Sequence, residues 1–167
     1  MSDQGDLKTF NVTYELHGRS VGKMRNEVTG RQVEPSVEPE FNMASDEAGF
    51  HGGDGSAPLP LAYFCTGLVT CLMTQIRAFS KRLRIDLKGV DVKATIKWKA
   101  TSQGRSPYEA APVNFLLDVN MDSTASLEEK TRLLEAAKKG CFIEATLANP
   151  IPVNHRIKED EGYIEVD

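Results

Sequence analysis

Between Asp54 and Arg77 the chain carries no charged side chain, and this run constrains the fold more than any other stretch. It opens on Ala57-Pro58-Leu59-Pro60 and continues through Tyr63, Phe64, Cys65, Leu68, Val69, Cys71, Leu72, Met73 and Ile76 to Phe79. Residues on nearly every helical face are apolar or small, the pattern of a helix buried all round. Pro58 and Pro60 fall at its start, where a missing N–H costs little. Ser80-Lys81-Arg82 then places positive charge where a helix C-terminus favours it. A run of about 20 apolar residues is also long enough to span a bilayer. Against that reading, Thr66, Thr70, Thr74 and Gln75 recur through it, Gly67 interrupts it, and no second span follows to bundle with it. The stretch reads as a central core helix carrying two cysteines.

At 167 residues the chain is long enough to bury a sizeable core, and one domain over 1–167 is expected. A net charge of −4 argues against nucleic acid or an anionic membrane as partner, since both require a concentrated basic footprint. Met1 to Asp6 has neither a basic nor an apolar region of the kind a secretory signal needs, so a cytoplasmic, reducing location is expected. Cys65, Cys71 and Cys141 make an odd count, unlike a disulfide scaffold, and fit either inert core thiols or redox chemistry.

Residues 1–8 are polar and expected to fray. Phe10, Val12, Tyr14 and Leu16 alternate with polar residues, predicting a first strand, with a turn at His17-Gly18-Arg19-Ser20. A second strand is expected over Val21–Val28, turning again at Thr29-Gly30. Val33 and Val37 belong to a third, which Pro35 and Pro39 restrict to an edge or a bulge. The glycine-rich segment 48–56 reads as a mobile loop feeding the helix; it lacks the Lys-Ser or Lys-Thr of a phosphate cradle. Val90, Val92, Ala94, Ile96 and Trp98 alternate with polar residues, and Val113 to Met121 supplies an antiparallel partner. Ser126-Leu127-Glu128-Glu129 has capping-box spacing, and the helix it opens ends in Lys138-Lys139, with Gly140 as a left-handed stop. A short helix over Phe142–Leu147 follows, with Cys141 at its N-terminus. Ile151, Val153 and Ile157 suggest a return strand, and Tyr163 to Val166 a last one.

A cysteine on an apolar helix is by default a small hydrophobe, and that default holds for Cys65. It lies six positions before Cys71, on another face of the same helix, so the two cannot pair without unwinding it. Cys141, at a helix junction, has free N–H groups to stabilise a thiolate, whereas Cys71 in mid-helix needs a cation to do so. Residue types alone leave both cysteines open between buried core and reactive pair. No Cys-x-x-Cys occurs and His17, His51 and His155 are scattered, so no metal site and no cofactor are expected.

Three features in order resemble the OsmC/Ohr family over about Phe10 to Val166. A glycine-rich loop leads to Pro60, eleven positions before Cys71. A lysine- and valine-rich strand follows at Val90–Trp98. A helix then ends at Cys141, with the tail Leu147-Ala148-Asn149-Pro150-Ile151-Pro152-Val153. The resemblance implies an α+β fold in which antiparallel sheets pack on a long central helix, assembled as an intertwined homodimer. It further implies thiol-dependent reduction of organic hydroperoxides in oxidative-stress defence. Cys71 would attack the peroxide, Cys141 would resolve the sulfenic acid as a disulfide, and an external dithiol would reset the pair. Arg19 would support the thiolate, with Arg31 as second choice. Two positions depart from the family pattern. The glutamate that follows the proline is replaced by Leu61, and the Cys-Pro of the second site is Cys141-Phe142. The alternative is a non-catalytic relative that binds a small apolar ligand at the dimer interface, or a purely structural partner protein.

Overall fold

The computed structural model describes residues 7–166 and divides into two compact units, one up to Phe64 and one from Cys65 onward. Of the expected frayed segment 1–8, residues 1–6 lie outside the described residues.

The first unit is a three-stranded antiparallel sheet in the order β1 (Thr13–Ser20), β2 (Asn26–Glu34), β3 (Ser36–Ser45). Both expected turns here are corrected. His17 to Ser20 continue β1, because Gly18 and Arg19 pair across to Val28 and Glu27. The chain reverses one segment later, where the Val21 amide donates to the Arg25 carbonyl at 2.9 Å. Thr29-Gly30 lies inside β2, and the glycine is there for contact rather than for turning. A Cβ on Gly30 would come 2.5 Å from the Phe41 ring of β3 and 3.1 Å from Leu16 of β1. Pro39 sits where the β2–β3 register slips, on an edge strand, as its missing N–H requires.

Asp46 closes the glycine-rich segment that follows. Its carboxylate accepts from the Glu47 amide (2.8 Å), the Ser56 amide (3.0 Å) and the Ser56 hydroxyl (2.7 Å). Arg25 in turn donates to the Ser56 carbonyl and hydroxyl. The segment is therefore a latched loop with a short 3₁₀ turn at Gly49–His51, not a slack one.

Helix α1 (Pro60–Leu83) starts in the first unit and carries on into the second. It begins on Pro60 and carries Lys81 and Arg82 in its last turn, where the sequence placed the basic C-terminus. Arg84 then adopts a left-handed φ of 58°. The Ile85 amide donates back to the Ser80 carbonyl and the Arg84 amide to the Lys81 carbonyl, a Schellman stop built without glycine. By length and composition α1 could cross a membrane. It is not buried all round. Only the stripe Leu68, Leu72, Ile76 and Ser80, four residues apart, is fully buried. Thr70 and Thr74 return their hydroxyls to carbonyls one turn back, at 2.8 and 2.9 Å.

The second unit adds the hairpin β4 (Gly89–Thr101) and β5 (Glu109–Asp122), where Val92 faces Val119, Ala94 faces Leu117 and Ile96 faces Phe115. Helix α2 (Leu127–Gly140) is opened by the expected capping box. The Glu129 amide donates to the Ser126 hydroxyl at 3.2 Å, and the Ser126 amide to the Glu129 carboxylate at 2.9 Å. Helix α3 (Phe142–Ala148) follows at once, and strands β6 (His155–Glu159) and β7 (Gly162–Val166) form a last hairpin. Ile151 and Val153 are exposed and outside any strand, since Pro150 and Pro152 withhold the amides a ladder needs.

Candidate active site

The core of the second unit gathers Leu72 and Ile76 of α1, Ile85, Met121, and Leu133 and Ala137 of α2 around Cys141, which is fully buried. Cys71 is half-buried against the same cluster. Two glycines bring the helices close enough for this. Gly140 is not a left-handed stop; it is the last residue of α2, and Cys141 caps the helix with extended backbone. A Cβ at Gly140 would lie 2.5 Å from the Phe79 ring of α1, so the glycine lets α2 end directly on α1. Gly67 does the same for α3, with the Ile143 side chain 3.1 Å from where a Cβ would be.

Cys141 thus ends α2 and caps α3. Burial pushes its thiol up to about 11, the Glu144 amide pulls the other way, and a hydrogen bond to Cys71 raises it further. The expected gain from the α3 N-terminus is present but overcome by desolvation. Cys141 is consequently a thiol at neutral pH, held beside the Cys71 sulfur. Cys65 is half-buried and free.

Arg19 and Arg31 belong to the first unit, and each is matched to an acid on the neighbouring strand. Arg19 meets Glu27 at 3.3 Å, and Arg31 donates to Glu15 at 3.0 Å. The hydrogen bond and charge of Glu15 raise the Arg31 pKa. His17, His51 and His155 lie on β1, the 3₁₀ turn and β6, on separate elements. Two residues of consequence escaped the sequence reading. Asp46, which closes the loop before α1, has no periodic signal. Glu144, on the third residue of α3, lines an apolar cavity of about 560 Å³ with Leu68, Leu72 and Lys138.

A central helix and antiparallel hairpins, with Cys141 in the core and Cys71 packed against it, define an α+β protein. Residues 53–156 match the family model described as OsmC-like protein, and the chain belongs to that family. The matched span crosses the boundary between the two units. An OsmC-like hydroperoxide resistance protein from Jannaschia sp. CCS1 is 41% identical over 93% of this chain and 98% of its own, with a TM-score of 0.64. At 16% identity, an organic hydroperoxide resistance protein OsmC from Legionella pneumophila shares the fold over 86% of this chain and 93% of its own, with a TM-score of 0.58. A hydroperoxide resistance protein from Vibrio cholerae, with captopril in one of its active sites, shares it over 92% and 94%, with a TM-score of 0.53 and 16% identity. No curated protein matches the chain.

Proposed function

We propose that this chain reduces organic hydroperoxides through its Cys71/Cys141 pair as part of oxidative-stress defence. The observation that carries the reading is the meeting of the two sulfurs in one core cluster, from positions seventy residues apart in sequence. Of the two, Cys71 is the accessible one and takes the peroxidatic role. Its thiolate attacks the peroxide, the O–O bond breaks, the alcohol leaves, and a sulfenic acid remains. Cys141 then condenses with it, water leaves, and a disulfide forms. An external dithiol returns both thiols by exchange. By the family resemblance Arg19 is kept as the candidate cation for the Cys71 thiolate; within its own unit it is paired with Glu27.

We assign the working protein as a cytoplasmic homodimer, with residues 1–167 acting as one domain. Among the described residues, no hydrophobic side chain before Leu68 is fully buried, and Tyr14, Leu16, Val37 and Met43 lie open on the first sheet. Apolar surface on that scale favours a second copy as cover. The alternative reading, a non-catalytic binder of a small apolar ligand, draws on the largely apolar cavity beside α1 and on Leu61 in place of a carboxylate.

Titration with cumene hydroperoxide separates the two. A reductase loses two free thiols for about one equivalent of peroxide. In Cys71→Ser that loss is abolished, and in Cys141→Ser a trappable sulfenic acid accumulates. Thiols that stay free in excess peroxide rule the reductase out and leave the ligand binder.

A further inference from the structure

The chain is net acidic at −4, yet one cavity of the second unit is lined mainly by cations. It holds about 460 Å³ and lies between the last turns of α1 and the segment 85–89 that leads into β4. Arg77 and Lys81 line it from α1, four residues apart and so on one face of the helix. Lys88 lines it from the segment after the helix. Asp86 is the one acid in the lining, so three cations stand against a single carboxylate. Among the described residues, no ion pair involves any of the four. The backbone that carries them is pinned on both sides. The Ile85 amide donates to the Ser80 carbonyl and the Lys88 amide to the Asp122 carbonyl, each at 2.9 Å, and the Ser123 hydroxyl donates to the Asp86 carbonyl.

We propose that this cavity is a binding site for a small multivalent oxyanion, a phosphorylated or polycarboxylated molecule. Neither Cys71 nor Cys141 lines it, so the site is separate from the thiol pair and stands whether or not the reductase reading holds. Like charges gathered around one concavity repel one another, and an anion seated among them relieves that repulsion. A cleft lined by one sign of charge also focuses its field and concentrates ions of the opposite sign. The Arg77 guanidinium offers a planar fork that holds two oxygens at once, while Lys81 and Lys88 act as point charges. The ligand is small because the field is local. At physiological salt the attraction is screened beyond about 8 Å, and the rest of the chain is net acidic. A compact anion sits wholly within the positive field, whereas an extended polyanion such as nucleic acid runs out onto like charge.

The test is calorimetric titration of the full chain with pyrophosphate, and separately with citrate, at about 0.15 M salt. Saturable binding is expected. Lys81→Met and Lys88→Met should each weaken it about 10-fold, and the two together about 100-fold, as the loss of charge-assisted hydrogen bonds requires. Lys158→Met, on the exposed strand β6, changes the net charge by the same amount and should leave binding as it is. Asp86→Asn removes the one like charge from the lining and should tighten binding several-fold, a gain that a misfolded variant would not show. Tighter binding of pyrophosphate assigns a phosphorylated ligand and tighter binding of citrate a carboxylated one; either sustains the site. Failure of both anions to saturate at millimolar concentration overturns it. So does equal weakening in Lys158→Met, the mark of diffuse attraction to net charge, or binding that Lys81→Met and Lys88→Met leave untouched. A fluorescent single-stranded oligonucleotide that binds more tightly than either anion, through the same lysines, overturns it in favour of nucleic acid.

Discussion

Cys141 is where residue-scale chemistry is decided, because burial and helix N–H groups act on it in opposite directions and burial wins. Its pKa rises from the ordinary 9.0 to about 11, so the folded state keeps a proton that the unfolded chain releases sooner. Stability from this group is therefore full below pH 9 and lost as pH rises through 11. Urea midpoints measured from pH 8 to 11 should fall across that window, and Cys141→Ser should flatten the fall. Asp46 has the opposite sign. Hydrogen bonds from the Ser56 amide and hydroxyl lower its pKa, so its contribution is present above the ordinary carboxylate range and lost as pH falls through the lowered value. Asp46→Ala should leave the loop 47–56 open, read as faster cleavage there in limited proteolysis at pH 7 with cleavage elsewhere unchanged. The latch was illegible in sequence, since an aspartate before a glycine-rich stretch has no partner until the loop folds back on it.

At the scale of elements, helix ends carry the clearest tests. Arg84 pays the left-handed conformational penalty that glycine avoids, in a stop whose two hydrogen bonds use only backbone. Arg84→Gly should raise stability by about 0.5–1 kcal/mol, a gain visible in denaturant midpoint with unchanged m-value. Gly140 answers to packing, not to φ. Gly140→Ala must displace the Phe79 ring, over which the Arg82 guanidinium sits at 5.6 Å, and should cost about 1–3 kcal/mol. Because α2 could then no longer end on α1, disulfide closure should slow in the same variant. The capping box and the β4–β5 pairing were legible because their signals are local: a Ser-x-x-Glu spacing and a period of two. The turns around Gly18 and Gly30 were misplaced because a glycine in a strand looks the same in sequence whether it bends the chain or makes room for a ring.

For the whole molecule, apolar surface decides. Every residue of β1, β6 and β7 is exposed, Ile157 and Ile164 included, and a lone two-stranded hairpin of the β6–β7 kind is marginal in water. The proposed homodimer should accordingly run at twice the chain mass in light scattering. Leu16→Glu, on the open sheet face, should shift it toward monomer while leaving the paired thiols of the second unit able to react with diamide. A monodisperse monomer for the wild type at micromolar concentration would count against the assembly.

Residue order alone settled the long uncharged helix, the paired strands and the capped helix before Cys141, since each rests on spacing within a few residues. It also singled out Cys71 and Cys141 as candidates, by their place in a family pattern. What it could not settle is which groups meet. That Cys71 and Cys141 share a core, that Gly140 is a contact and not a turn, that Arg19 already has Glu27 for a partner, and that Glu144 lines one cavity with Leu68 and Leu72 all depend on close packing between distant segments. Packing of that kind has no period along the chain, so only the tertiary structure could decide it.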